Sequence, residues 1–244
     1  MIGKGKSISH GVAALEYDLA KEINGQAVAT EIARHELYGC TGAEMVQEMK
    51  PYHIDFPNVK NNCLRFEVSP SIEESATFTD ADWAELGNDF MQRMGLANHQ
   101  YIIIRHSGTE SKKEQAHLHI LANRVSLSGE LYRDNWIGKK ATEAANAIAK
   151  ERNFVQSQDI GKVNKAEIKE AMDGVLKKMQ GFDFTKFKEE RGKRGFKVRE
   201  ARASTGKLNG YYVTARSGTE YKASETGNGY TLAPTERTQS KLQC

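Results

Sequence analysis

Two short apolar runs joined by a charged loop, Tyr101–Arg105 and His117–Ala122, constrain this chain more than any other stretch. The first is isoleucine-rich and too short for a helix of its own, so it predicts a strand, and the second predicts another. Side chains alternate between the faces of a strand, so His117 and His119 point the same way, with Leu121 and Asn123 continuing the row. His106 ends the first run, where an adjacent antiparallel strand would bring a third imidazole alongside. Three neutral imidazoles converging on one point form a divalent-metal site with open positions for a substrate. A His-x-His pair alone is a weak signal, since the same spacing occurs on purely structural strands.

With 244 residues the chain can hold one sizeable domain plus an appendage. The composition, 27% charged and 39% hydrophobic, suits a soluble globular protein. The net charge of +3 is small but unevenly spread. Lys186, Lys188, Arg191, Lys193, Arg194, Lys197, Arg199, Arg202 and Lys207 crowd one segment, which fits either a polyanion partner or a solvated helix face. Cys40, Cys63 and Cys244 show no close pairing and no zinc-type spacing, so reduced thiols in a cytoplasmic protein are expected. No run is long enough to span a membrane, and MIGKGKSISHG lacks the apolar core of a signal peptide.

In chain order, Ser9 is expected to cap a helix from about His10 to Ile23, stopped by Asn24-Gly25, with Val12, Leu15, Leu19 and Ile23 as its apolar stripe. Tyr17 projects away from that stripe, as ordinary surface or as a reactive group presented to a ligand. A short helix is predicted over Thr41–Met49, then a polar loop containing His53. Leu64–Val68 reads as a strand, followed by Ser69-Pro70-Ser71, whose hydroxyls either close a turn or face a phosphate, the turn being favoured. Thr79 with Asp82 is an aspartate variant of the capping box, and Phe78 can staple onto Trp83. Trp83, Leu86, Phe90 and Met94 then repeat at helical spacing up to Gly95. A further helix is expected over Lys139–Arg152, a linker over Gln156–Gly161, and an amphipathic helix carrying Ile168, Met172 and Leu176. Beyond the basic stretch, runs around Asn209-Gly210 and Ser217-Gly218 suggest a small β-meander bearing Tyr211, Tyr212 and Tyr221.

Several ordered motifs carry a family resemblance. MIGKGKSISHG with ALEYDLAK, then FEVSPSIEE, HQYIIIRH and HLHILANRVSLSGELYRDNW resemble, in that order, the relaxase/mobilisation nuclease family of bacterial mobile elements, within the wider class of His-hydrophobic-His endonucleases. The likeness covers about residues 1–152. It implies site-specific nicking and rejoining of one DNA strand at a transfer origin through a 5′-phosphotyrosine intermediate. On this sequence Tyr17 matches the nucleophile, and His106, His117 and His119 match the metal triad. The motifs also place Arg105, Asn123, Arg124, Ser69 and Ser71 near DNA, and Lys193 and Arg194 in the basic stretch are further DNA-binding candidates. The implied cofactor is a divalent ion, Mn²⁺ or Mg²⁺, with Zn²⁺, Co²⁺ or Ni²⁺ as alternatives that imidazole also suits. Implied partners are single-stranded or supercoiled transfer-origin DNA, an accessory mobilisation protein and a type IV coupling protein.

The chemistry agrees with that resemblance. A phenol of pKa near 10 is roughly 0.1% ionised at neutral pH, a deficit of about 4 kcal/mol that activation must offset. Two features depart from the family's pattern. The loop between His106 and His117 is long, which makes Glu110 or Glu114 the substitute ligand should His106 miss the ion. The proton acceptor for Tyr17 is unassigned, Asp18 being expected to point elsewhere on the helix, and Tyr38 is the rival nucleophile.

The expected architecture is α+β: a central antiparallel sheet carrying the histidine strands and flanked by helices, all on one face, over residues 1–157. A basic helical segment and β-meander extend over residues 158–244. Alternatives are a rolling-circle initiator or transposase of the same class, or a non-catalytic DNA-binding protein with structural histidines.

Overall fold

The computed structural model describes residues 1–108 and 115–232; Glu110, Glu114 and Cys244 lie outside the described residues. The chain divides into two compact units, Met1–Ser157 and Gln158–Cys244.

The first unit runs β1 (Ile2–Ile8), α1 (Gly11–Leu19), β2 (Glu22–Ile23), β3 (Gln26–Ala27), β4 (Ala29–His35), α2 (Gly42–Met49), β5 (Cys63–Ser69), α3 (Ile72–Ser75), α4 (Asp80–Arg93), β6 (His99–His106), β7 (His117–Ser126) and α5 (Ile137–Glu151). Five strands form one antiparallel sheet in the order β1-β5-β7-β6-β4, which puts β7 at the centre with β6 beside it. This is the α+β sheet expected, with one correction: helices cover both faces. Leu64, Phe66, Val68, Ile103, Leu118 and Ile120 pack with Trp83, Leu86 and Phe90 of α4 and Ala141, Ala145 and Ile148 of α5. On the opposite face Ile8, Ile102, Ile104 and Leu121 pack with Ala14 and Leu15 of α1 and Met45, Val46 and Met49 of α2. The continuous apolar run of β6 explains this, because a strand apolar on successive residues must bury both sides. Close packing of α5 on the edge strand β1 requires glycine. A Cβ on Gly3 would lie 2.4 Å from the Ala141 carbonyl oxygen.

Local signals decide several boundaries. Thr79 caps α4 with the reciprocal Asp82 bonds, and Phe78 meets Trp83 edge-on with ring centres 5.2 Å apart, as the capping box and staple predict. Asn24-Gly25 does something other than stop a helix. The helix ends at Leu19, and Asn24 (φ 54°) and Gly25 (φ 75°) form the turn of the β2–β3 hairpin, because consecutive left-handed residues match the twist of a tight hairpin. The buried stripe of α1 is Gly11, Ala14, Leu15 and Asp18, while Val12 is exposed. Its N-cap is His10, without a side-chain bond, in place of Ser9. The edge strand β4 gave no sequence signal, since it is polar and only half-buried and a bulge between Glu31 and Ala33 breaks its alternation.

The second unit contains α6 (Ser157–Leu176), α7 (Phe184–Lys193), β8 (Lys197–Arg202), β9 (Leu208–Thr214), β10 (Glu220–Lys222) and α8 (Ala223–Thr226). Gln156–Gly161 is no linker, because α6 is helical from Ser157 onward. The three strands make an antiparallel meander whose core joins Tyr211 and Val213 to Ile168, Met172, Phe187 and Phe196. Asn209-Gly210 lies inside β9, and the β8–β9 turn is instead at Ala203–Lys207, with Gly206 at φ 80°. No helix among the described residues is long and apolar enough to cross a membrane.

Candidate metal centre

The register of β6 against β7 sets His106 opposite His117 and Ile104 opposite His119. Alternation then brings all three imidazoles to the face covered by α1 and α2. Their ring centres are 4.4 Å (His106–His119), 4.9 Å (His117–His119) and 5.4 Å (His106–His117) apart. One nitrogen from each lies within 4.8 Å of the others. Burial lowers the pKa of His106 and, reinforced by the neighbouring histidines and Arg65, takes His119 down to about 2. Both rings are therefore neutral at physiological pH and keep lone pairs to donate.

The remaining ring nitrogens are held from outside, as metal-binding imidazoles usually are. His106 Nε2 lies 2.7 Å from the Asp18 carbonyl oxygen, a contact that needs a proton on Nε2 and leaves Nδ1 as the lone-pair atom. His117 Nδ1 faces the Gln115 carbonyl at 3.1 Å, leaving Nε2, which sits 3.1 Å from His119 Nε2. His119 Nδ1 has Arg65 Nη2 at 3.3 Å and the Asp18 carboxylate at 3.7 Å. Because arginine only donates, Nδ1 accepts from Arg65 and the ring proton sits on Nε2, facing His117 Nε2; Nε2 would ligate in the other tautomer, with the proton moved to Nδ1 toward the Asp18 carboxylate. Three imidazoles that each offer a nitrogen within 4.8 Å of the others, with their outward nitrogens held by partners, fit a divalent ion.

Asp18 is the residue that sequence reasoning missed. It was expected to point away, yet it is 1% exposed and paired two-fold with Arg65 of β5. Burial raises its pKa against the opposing pull of Arg65. A signal existed: Asp18 falls four residues after Ala14 on the buried side of α1, and a lone acid on an apolar stripe asks for a partner.

Tyr17, the next residue back, is 56% exposed, and its hydroxyl oxygen accepts from Lys21 Nζ at 2.6 Å. The rival Tyr38 donates to the Glu36 carboxylate at 3.1 Å, and that contact raises its pKa. The Glu36 carboxylate beside Tyr38 opposes its phenolate.

The other candidates are scattered. Ser69, on the histidine face of β5, is buried, and its hydroxyl accepts from Gln115. Ser71 caps α3 through a reciprocal bond with Glu74, so its hydroxyl starts a helix. Arg105 and Arg124 project to the opposite face of the sheet, where Arg105 pairs with Asp80 and Arg124 with Asp134 at 2.6 Å. Asn123 shares the histidines' face but is wholly buried. Its amide group serves Gln100, the Met49 carbonyl and Val125 N–H, with His53 Nε2 2.7 Å from its oxygen. In the second unit Lys193 pairs with Glu190 and Arg194 donates to the Gly174 carbonyl. Tyr211 is closed to base stacking, being 2% exposed with its hydroxyl on the Tyr230 carbonyl.

Beside His119 the surface opens into a groove of about 220 Å³, lined by Lys4, Gly5, Lys6, Arg65, Phe66, Glu67 and His119.

No curated protein and no solved structure matches the chain. The family model described as relaxase, MobA/VirD2-like, nuclease domain, matches residues 17–154, more than half of the chain and a span that includes Tyr17 and all three histidines. The chain belongs to the MobA/VirD2-like relaxase nuclease family.

Proposed function

We propose that this protein nicks and rejoins one DNA strand at a transfer origin by transesterification, with Tyr17 as nucleophile and His106, His117 and His119 as metal ligands. The observation that carries the reading is the docking of α1 onto the histidine cluster. Asp18 binds His106 through its carbonyl and faces His119 with its carboxylate, so the helix presenting Tyr17 is fastened to the candidate ligands.

In the step itself the Tyr17 oxygen attacks the scissile phosphorus as the bond to the 3′ oxygen breaks. The phenolic proton passes to solvent, and the departing 3′ oxygen takes one up. A 5′-phosphotyrosine and a free 3′ hydroxyl result, and the reverse attack restores the strand. A covalent intermediate conserves the phosphodiester energy that hydrolysis would discard. A divalent ion held by His106, His117 and His119 would supply charge stabilisation to the transferring phosphoryl group. Lys21, 2.6 Å from the phenolic oxygen, stabilises negative charge as it develops there. Asp18 and Arg65 orient His119.

The test is incubation with labelled single-stranded DNA from the element's transfer region, with Mn²⁺ or with EDTA, followed by a denaturing gel and peptide mapping. A metal-dependent adduct on Tyr17, absent from Tyr17→Phe, is expected. Binding with no adduct under any divalent metal would replace this reading with that of a non-catalytic DNA-binding protein.

A further inference from the structure

We propose that Glu16 is a positioning residue for Tyr17: its carboxylate on the N-terminus of α2, with the close approach that Gly42 allows, fixes the rotation of α1 at which the phenol is presented. The inference rests on the reading of Tyr17 as nucleophile and adds what aims it.

α1 cannot hold this orientation by itself. It has nine residues, its N-cap His10 makes no side-chain bond, and isolated helices of that length are marginal in water. Successive residues point about 100° apart around a helix, so Glu16 and Asp18 flank Tyr17 on opposite sides. Asp18 ties one flank to the sheet, through Arg65 of β5 and His106 of β6. Ala14 and Leu15 add apolar contacts, which have no preferred direction and resist rolling weakly. The other flank is held by Glu16, whose Oε1 accepts from the Ala43 amide at 3.0 Å.

That bond fits the needs of α2. Among its first amides, Glu44 donates to Thr41 Oγ1 and Met45 to the Thr41 carbonyl, while Ala43 finds its acceptor in the neighbouring helix. The helix dipole favours a carboxylate at this end. Gly42 lets the two helices meet. A Cβ there would lie 3.0 Å from Glu16 Oε1 and 3.1 Å from the Glu16 backbone nitrogen. The side-chain oxygen could swing aside, but the backbone nitrogen could yield only if α1 moved. A roll of about 10° shifts a side chain by ~1 Å at the roughly 6 Å radius of a helix surface. At reacting atoms a displacement of that size costs on the order of 10²-fold in rate.

The test follows single-turnover adduct formation by the full chain, with Mn²⁺ and labelled single-stranded DNA from the element's transfer region both saturating, and measures Mn²⁺ and DNA affinities separately. Glu16→Ala and Gly42→Ala should each slow the adduct about tenfold, with both affinities within about twofold of wild type. Melting temperatures should stay within about 3 °C, because the Glu16 contact is exposed. Alanine for glycine in a helix is otherwise favourable, so slowing in Gly42→Ala reports the close approach. Glu16→Gln keeps an acceptor in place and should restore the rate to within about threefold of wild type. Equal slowing by Glu16→Gln and Glu16→Ala would assign the effect to charge and overturn the proposal. Wild-type rates in Glu16→Ala and Gly42→Ala, or affinity losses large enough to account for the slowing, would overturn it as well. A Tyr17 adduct formed at the wild-type rate in these variants removes the clamp and keeps the transesterase. Absence of any Tyr17 adduct in the wild-type chain removes the transesterase reading, and the proposal with it.

Discussion

The histidine face of the first unit and the basic stretch of the second both crowd nitrogen-bearing side chains into a short span, and their surroundings differ in kind. In the second unit four of the cations are tied off locally: Lys188 and Arg202 to Glu200, Arg199 to Glu220, and Lys193 to Glu190. Arg191 is buried between the Phe187 and Phe196 rings with one guanidinium bond, to the Ile168 carbonyl, and burial brings its pKa down to about 10. On the histidine face the imidazoles converge, His106 and His117 buried and His119 half-buried, with carbonyls and one carboxylate behind them. A run of charge in sequence therefore marks a surface that can satisfy itself. Converging imidazoles with their outer nitrogens anchored mark a place suited to hold a cation.

The largest effect is expected at Tyr17. Tyr17→Phe should eliminate the covalent adduct, by at least about 10³-fold, and leave the melting temperature unchanged, whereas Tyr38→Phe should retain the adduct. Equal adduct in both variants would move the nucleophile elsewhere.

Next comes Asp18→Asn. Removing one partner of a buried pair should cost about 3 kcal/mol in urea unfolding. By releasing His119 it should also weaken Mn²⁺ binding in calorimetry by about 10-fold to 100-fold. Loss of stability with unaltered metal affinity would reduce Asp18 to a structural role.

Proton linkage separates the two regions as well. His106 and His119 have lowered pKa values in the folded state, so below the unfolded value of about 6.5 the unfolded chain binds protons that the native chain does not. Stability in EDTA should fall as pH drops from about 7.5 to about 5.5, and His119→Asn should flatten that fall. Asp18, with its raised pKa, acts in the opposite sense nearer the carboxylate range. A slope unchanged by His119→Asn would place the linkage elsewhere, His99 being the other buried histidine with a lowered pKa.

Lys21→Met should slow adduct formation about tenfold at neutral pH with DNA affinity little changed, as expected for a cation that acts on developing charge. An unaltered single-turnover rate would show that the ammonium contact is incidental. The smallest effect belongs to Lys193→Ala in the second unit. Its pair with Glu190 is exposed, so neither melting temperature nor DNA affinity should change beyond about twofold. A large loss of DNA affinity would restore the basic stretch as a binding surface.

Much of this was legible in the chain. Period-two alternation puts His117 and His119 on one side, Thr79 and Asp82 announce the start of α4, and the apolar spacing of Trp83, Leu86 and Phe90 marks its buried face. The failures share a cause. Asn24-Gly25 suits a helix stop or a hairpin turn equally well, and only the pairing of β2 with β3 selects one. Tyr211 has the composition of a stacking platform, but the meander turns it inward against Phe184 and Phe187.

By itself the sequence determined which residues share a strand face, where the capped helices begin, and that three histidines stand at the ends of two apolar runs. These follow from chain geometry over a few residues. The tertiary structure decided that His106 faces His117, that Asp18 and Arg65 close behind His119, and that Arg105 and Arg124 lie across the sheet from the cluster. Each of those depends on strand register or helix docking between segments far apart in sequence, where the energy comes from burying both faces of β6 and β7 and local propensity contributes little.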